Sequence, residues 1–181
     1  LQSAIDCFIE ILESRGLKPE EIEDVKAYSL PFLAHPDQQN VTTQIDAQYS
    51  LPYALAVAAH RIPAGPAWQD MKLIQSPDIQ AFMKKVSFIG DPRAGEEKKK
   101  DPLSWYARVE VTAGGKKYEH ETLYSRGTNV DGFRLSDEDL LEKFKTNAGL
   151  ILTQNKISRA SQCIMEMESA TDVSELIRHL V

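Results

Sequence analysis

Residues 104–124, SWYARVEVTAGGKKYEHETLY, carry the clearest signal for the fold. Two alternating segments flank Gly114-Gly115, and a two-residue glycine loop favours the primed turns whose twist matches antiparallel strands. The register this loop sets pairs Val111 with Tyr118, Val109 with His120 and Trp105 with Tyr124 on one face, and Thr112 with Lys117 and Arg108 with Glu121 on the other. One apolar, aromatic face and one charged face are typical of a half-buried antiparallel hairpin.

The chain before this hairpin alternates between helix and strand signals. Ser3 and Asp6 resemble a capping box, and Gly16 ends the helix that they begin. Further helices are predicted from Ser50 and from Ser76-Pro77-Asp78, where a cap residue stands close to a proline tolerated in the first turn. The remaining predictions are strands at 22–30 and 86–89, a long loop at 31–47 and a solvated loop at 91–103.

The chain after the hairpin is predicted to be helical. Ser136 with Asp139 caps one helix, and two more are expected near residues 155–168 and 172–180. The sum is a single α+β domain over residues 1–181, with a small, mostly antiparallel sheet and helices packed on one side of it.

Composition excludes several classes of function. A net charge of −6 argues against a nucleic-acid surface, which needs clustered positive charge. No apolar run is long enough to cross a bilayer, and no signal-peptide pattern is seen, so membrane association is not expected. Cys7 and Cys163 lie far apart in helix-like segments and are interpreted as small buried apolar residues, which favours a reducing, cytoplasmic compartment.

The first residues suggest that the chain belongs to something longer. It opens on Leu1 rather than Met, and a helix signal follows almost at once at Ser3. A cut fragment, or a disordered segment upstream, is therefore expected.

Metal binding and catalysis are not predicted from residue patterns. No second ligand stands at zinc-like spacing from His35, His60, His120 or His179, so no metal site is expected. His120 is interpreted as a core histidine, His60 as a helix-end residue and His179 as part of a terminal turn. His35, in the long loop, is kept as a candidate for ligand binding. No phosphate loop, nucleophile elbow or dinucleotide fingerprint is found.

One group of neighbouring residues suggests a ligand-binding site. Residues 46–53, DAQYSLPY, place polar side chains and a phenol where a helix begins after a long loop. Helix amino termini present unpaired N–H groups and the positive end of the dipole, which suit carboxylate ligands. Tyr53 could donate a hydrogen bond to such a ligand, with Gln48 and Ser50 beside it. The alternative is that Tyr53 packs on a neighbour and Ser50 only caps the helix.

Residues 47–56, AQYSLPYALA, closely resemble the A-Q-F-S-L-P-Y-A-V-A segment of the MmgE/PrpD family. Four other segments resemble family motifs in the family's order. They are Ser3-Ala4-Ile5-Asp6, Ser76-Pro77-Asp78 through Lys85-Val86, Tyr124 to Gly127, and Leu135-Ser136 through Glu142-Lys143-Phe144.

This resemblance implies a C-terminal α+β lid domain that closes on an all-helical N-terminal domain absent from this chain. Members include 2-methylcitrate dehydratases, cis-aconitate decarboxylases and iminodisuccinate epimerases, commonly homodimers that use no metal or organic cofactor. A small polycarboxylate is therefore the implied substrate. The family's substrate-facing tyrosine carries over to Tyr53, and its lid histidine falls near Gln2. The alternative is a freestanding α+β binding module without catalysis.

Overall fold

The computed structural model describes residues 1–180, without the side chain of Pro36. The chain forms two compact units, Leu1–Arg134 and Leu135–Val181, called here the first and second unit. The expectation of one domain over residues 1–181 stays a prediction, because two compact units can belong to a single domain.

The first unit contains all four strands described and six helices. In chain order these are α1 (Gln2–Arg15), β1 (Ile22–Ser29), α2 (Gln44–Tyr49), α3 (Leu51–Ala59), α4 (Met71–Ile74), α5 (Pro77–Met83), β2 (Val86–Gly90), α6 (Pro92–Lys100), β3 (Ala107–Ala113) and β4 (Lys116–Thr122). Short 3₁₀ helices at Pro19–Glu21, Pro31–Leu33, Pro36–Gln39 and Pro66–Gln69 connect them.

The strands form one sheet in the order β2-β1-β3-β4. The β1–β2 pair is parallel, and the β1–β3 and β3–β4 pairs are antiparallel. Helices pack on this sheet, with α1 in contact with both β3 and β4. The predicted α+β class, with a small and mostly antiparallel sheet, is confirmed.

The hairpin of β3 and β4 has the predicted register over its paired length. Val111 lies opposite Tyr118 and Val109 opposite His120, and Gly114 and Gly115 have φ angles of 56° and 69°, as a type I′ turn requires. The predicted Trp105–Tyr124 pair falls beyond the paired residues, where the Trp105 amide donates to the Leu123 carbonyl at 2.8 Å.

The interpretation of His120 as a core residue is wrong. β4 is an edge strand, and His120 is exposed on it. Tyr118, two residues earlier on the same face, is half-buried, and the Arg15 guanidinium of α1 lies 5.4 Å from the centre of its ring. α1 therefore covers only part of that face of β4.

The core of the first unit surrounds α3. Every residue of α3 is buried, so this helix lies inside the unit rather than on its surface. It contacts α1 and α5, whose Phe8 and Phe82 meet edge to face with ring centres 6.3 Å apart. The sheet contributes Val25, Val109 and Val111 to the same cluster.

The carboxyl end of α1 is as predicted, and its amino end is not. Gly16, with φ 61°, ends the helix, and the Leu17 amide donates to the Leu12 carbonyl at 3.2 Å, as predicted for a Schellman end. The helix begins at Gln2, however, so Ser3 lies within its first turn and does not cap it.

Both predicted loops contain helices. In the 31–47 loop, Thr43 accepts a hydrogen bond from the Asp46 amide while Asp46 accepts one from the Thr43 amide, a capping box that starts α2. In the 91–103 loop, Asp91 accepts from the Arg93 amide and Pro92 opens α6. α6 buries only Ala94, so it lacks the apolar stripe that would have marked it in the sequence.

The second unit consists of helices in the part of the chain described. They are α7 (Asp137–Ala148), α8 (Gln154–Met165), a 3₁₀ helix (Met167–Ser169) and α9 (Ser174–Leu180). The capping box of Ser136 and Asp139 is confirmed. The three predicted helices are present, with boundaries that differ by at most three residues.

Candidate functional site

The amino terminus of α3 is fixed by Ser50, which lies between α2 and α3. The Ser50 hydroxyl accepts a hydrogen bond from the Tyr53 amide at 3.0 Å, so the predicted N-cap is confirmed. The same hydroxyl donates to the Gln38 carbonyl at 2.6 Å. Ser50 is buried, and these bonds join the helix to the preceding 3₁₀ helix.

Gln38 completes this junction, and no sequence pattern pointed to its role. Its side-chain oxygen accepts from the Leu51 amide at 2.9 Å, and its side-chain nitrogen donates to the Leu33 carbonyl. The Ala54 amide donates to the Ser50 carbonyl at 3.1 Å, and Pro52 has no amide hydrogen. The first turn of α3 therefore has no free N–H for a carboxylate, and the prediction of unpaired amides there is wrong.

Tyr53 is 1% exposed and packs in the core cluster of the first unit. Its hydroxyl donates to the Trp68 carbonyl at 2.7 Å, and the Trp68 indole N–H donates to the Ile62 carbonyl at 3.1 Å. Burial, with the negative charge of Asp70 as a smaller contribution, raises the pKa of Tyr53 to about 12. The phenol is thus a neutral hydrogen-bond donor, held by the 66–69 turn.

The other two predicted site residues lie at the surface. His35 caps the 3₁₀ helix at Pro36–Gln39, and its Nδ1 accepts from the Asp37 amide at 3.4 Å. Gln48 is exposed on α2. A cavity of about 130 Å³ is lined by Ala34, His35, Gln38, Gln39, Pro52 and Phe88. His35 therefore shares a cavity with the start of α3, whereas Ser50 and Tyr53 point into the fold.

A second cavity, of about 240 Å³, lies at the start of α1. It is lined by Leu1, Gln2, Ser3, Trp105 and Ser125. Ser3 is 4% exposed, and its hydroxyl has no hydrogen-bond partner among the residues described. A buried hydroxyl without a partner beside a cavity is a place for a water or for a polar ligand atom.

Gln2 lies at the same cavity, near the position that the resemblance assigns to the family's histidine. Its side-chain nitrogen donates to Asp6 Oδ1 at 2.7 Å, and Asp6 Oδ2 accepts from the Arg126 amide at 2.8 Å. This chain therefore holds the start of α1 with an amide and a carboxylate. The sequence pattern pointed to Ser3 only as a cap and missed its place in the cavity wall.

A polar cluster on the sheet is fully paired and offers no reactive group. Arg93 donates to Tyr106 at 3.0 Å and to Glu121 at 2.8 Å, and Tyr106 donates to Glu121 at 2.9 Å. The hydrogen bond from Arg93 is the main cause of the lowered pKa of Glu121. Glu121 is thus a stable carboxylate that joins α6 to the hairpin.

These features define an α+β domain with two small polar cavities at helix starts. The chain belongs to the MmgE/PrpD family, because the model of the MmgE/PrpD C-terminal domain matches residues 1–167. A search among curated proteins found no match to the chain. Among the residues described, no helix is both long and apolar enough to cross a membrane.

Proposed function

We propose that this chain is the lid domain of a cofactor-independent lyase or isomerase that acts on a small polycarboxylate. The reaction would be a dehydration, a decarboxylation or an epimerisation, with 2-methylcitrate, cis-aconitate or iminodisuccinate as the candidate substrates. The family match over residues 1–167, which includes the 47–53 segment, is the observation that carries this proposal.

The chemistry begins with removal of a proton next to a carboxylate. A general base takes the proton, and cationic groups stabilise the aci-carboxylate that forms. In this proposal the base belongs to a helical domain that the lid closes upon. The lid excludes water and orients the substrate through hydrogen bonds.

Tyr53 is the proposed donor from the lid. Its raised pKa supports a donor role, since a phenol that keeps its proton cannot act as a base near neutral pH. Its hydroxyl now donates to the Trp68 carbonyl, so contact with a substrate requires the 66–69 turn to move aside. Domain closure is a step at which such a turn can move.

His35, Gln48 and Ser50 have different parts in the proposal. His35 and Gln48 are exposed and are suited to hydrogen bonds with a carboxylate of the substrate. Ser50 is buried between Gln38 and Tyr53, so its contribution is to hold the start of α3 in place.

Three exposed apolar side chains close to the 47–53 segment in sequence support docking of another protein surface. Phe32 is 73% exposed, Ile45 70% and Tyr49 65%, all within residues 31–49. Clustered exposed apolar residues mark interaction sites more often than scattered ones. The proposed occupant is the helical domain of the same enzyme, which would act as a homodimer. The same observation also favours the alternative, a freestanding binding module.

The test is turnover by the full product of the gene that encodes this chain. The purified protein is incubated separately with 2-methylcitrate, cis-aconitate and iminodisuccinate, and products are followed by NMR. We expect turnover of one substrate, and no turnover by the 181-residue chain alone. A folded full-length protein that leaves all three unchanged would remove the proposed chemistry and favour the binding module.

A further inference from the structure

Three metal-ligating side chains meet between α8 and α9 in the second unit. The Cys163 sulfur, a carboxylate oxygen of Glu175 and a ring nitrogen of His179 all lie within 4.8 Å of one another. Cys163 and His179 are half-buried and Glu175 is exposed. These atoms are the thiolate, carboxylate and imidazole donors by which proteins bind zinc.

The helices bring these residues together by simple geometry. Glu175 and His179 are four residues apart on α9, so they lie on one face of that helix. Cys163 lies near the end of α8, which packs against α9. Eleven residues lie between Cys163 and Glu175, and the pattern of four histidines and two cysteines did not reveal the cluster.

The three side chains are available for a ligand. Among residues 1–180 none of them has a hydrogen bond or an ion pair. Neighbouring acids are already engaged: Glu166 accepts from the Gln162 side chain at 3.1 Å, and Asp172 accepts from the Ser174 amide at 2.9 Å. A tetrahedral zinc site, with bonds of 2.0–2.3 Å, separates its donor atoms by roughly 3.3–3.8 Å. Side-chain rotations that move the donor atoms by about an ångström would bring them to the separations of a zinc site.

We propose that Cys163, Glu175 and His179 bind a zinc-class divalent transition ion. A thiolate and a carboxylate neutralise the two charges of the ion, and the imidazole supplies a third bond. The thiolate and imidazole disfavour Mg²⁺ and Ca²⁺, which take oxygen ligands. Glu175 and His179 lie outside the family match and Cys163 lies inside it, so the complete set of ligands is not part of the matched domain and the site goes beyond the proposed function.

A three-residue site leaves one position of a tetrahedron for water or another ligand. A cavity of about 160 Å³ beside the cluster is lined by Cys163 and Glu175, among others. The open position can therefore be filled from this cavity. The ion would also join α9, which has no buried residue in its described part, to α8.

The first test is the absorption spectrum of the intact 181-residue chain with Co²⁺, a spectroscopic substitute for zinc. We expect a thiolate-to-cobalt charge-transfer band and intense visible bands typical of tetrahedral cobalt, both removed by one equivalent of Zn²⁺ and unaffected by Mg²⁺. Cys7 is not a competing source of thiolate, because it is fully buried and burial raises its pKa to about 12. A folded chain that shows no charge-transfer band would overturn the proposal.

Variants then assign the ligands by calorimetric titration with Zn²⁺. Cys163→Ser and His179→Ala are each expected to weaken binding at least about 100-fold, since loss of outer-shell groups alone costs 10–100-fold. The controls are His120→Ala, which removes an exposed histidine of the first unit, and Glu168→Gln, which removes an exposed acid of the second unit. Both controls should keep wild-type affinity. Unchanged binding by Cys163→Ser, or equal losses in the controls, would contradict the assignment.

Discussion

The first and second units are stabilised in different ways. Both hydrophobic clusters of buried residues found in the described part of the chain lie in Leu1–Arg134. Nine large apolar side chains of the second unit are exposed: Leu140, Leu150, Ile151, Ile164, Met165, Met167, Val173, Ile177 and Leu180. The first unit therefore gains more of its stability from burial than the second, where Ile157 and Ala160 are buried.

The polar groups of the two candidate sites, around Ser50 in the first unit and around Cys163 in the second, also differ. In the first unit, Ser50, Gln38 and Tyr53 all hydrogen-bond to the fold itself. In the second, Cys163 and His179 gather beside a cavity with no such partner among the residues described. Polar side chains whose hydrogen bonds are made within the fold hold a site in shape. Polar side chains without such bonds are available to bind a ligand.

The largest expected difference between the units follows from removing a leucine. Leu55 on α3 is fully buried, so Leu55→Ala should lower the free energy of unfolding of the first unit by about 2–5 kcal/mol. Leu140 on α7 is 50% exposed, and Leu140→Ala should change stability by less than about 0.5 kcal/mol.

Urea denaturation can follow each unit separately. Both tryptophans, Trp68 and Trp105, belong to the first unit, so their fluorescence reports its unfolding. The circular dichroism signal of the helices also includes the helices of the second unit, so it reports the unfolding of both units. Similar losses for the two leucine variants would contradict the difference in burial.

The next largest expected effect is a loss of stability at alkaline pH, caused by ionisation of the Tyr53 phenol. The folded state raises the pKa of Tyr53 from its ordinary value of 10 to about 12, so it holds the phenolic proton more tightly than the unfolded chain. This stabilisation is complete below pH 10 and is lost as the pH rises from 10 to 12. Two pKa units correspond to about 3 kcal/mol, most of which is lost by pH 12.

The pKa values of Tyr106 and Cys7 are raised in the same direction, so the comparison must isolate Tyr53. Urea denaturation of the wild type and of Tyr53→Phe is measured at pH 9 and pH 12 by tryptophan fluorescence. The wild type should lose about 2 kcal/mol more than the variant over this range. Parallel losses would show that the phenol of Tyr53 titrates normally.

A smaller difference is expected between two serine caps. Ser50→Ala leaves the Tyr53 amide and the Gln38 carbonyl without this partner inside the fold, at a cost of about 1–2 kcal/mol. Ser136→Ala removes an exposed cap of α7, where water replaces the lost bond, and should cost about 0.5–1 kcal/mol. Thermal unfolding of both variants checks which substitution destabilises more. A larger loss of stability in Ser136→Ala than in Ser50→Ala would contradict this prediction.

Local signals predicted much of this fold. The Gly114-Gly115 turn set the hairpin register, Gly16 ended α1, and the Ser136–Asp139 capping box began α7. Each of these signals acts within a few residues of the chain. The α6 helix was missed because it has capping residues but no apolar stripe.

The candidate site is formed by contacts between residues that are distant in sequence. Local sequence patterns do not predict such contacts. Tyr53 and Ser50 were singled out, but their partners, the Trp68 and Gln38 carbonyls, lie 15 and 12 residues away. Cys163 and His179 come together only when α8 packs on α9. The exposure of His120 likewise follows from the position of β4 at the sheet edge.

We propose that Tyr53 hydrogen-bonds to a substrate as well as to the fold. The most direct test is kcat of the full gene product and of its Tyr53→Phe variant on the substrate that turns over. Tyr118→Phe is the matched control, since Tyr118 is a half-buried phenol on the edge strand β4. Loss of one transition-state hydrogen bond should reduce kcat by about tenfold or more in Tyr53→Phe and leave Tyr118→Phe unchanged. Full turnover by a folded Tyr53→Phe variant would show that the phenol only anchors the 66–69 turn.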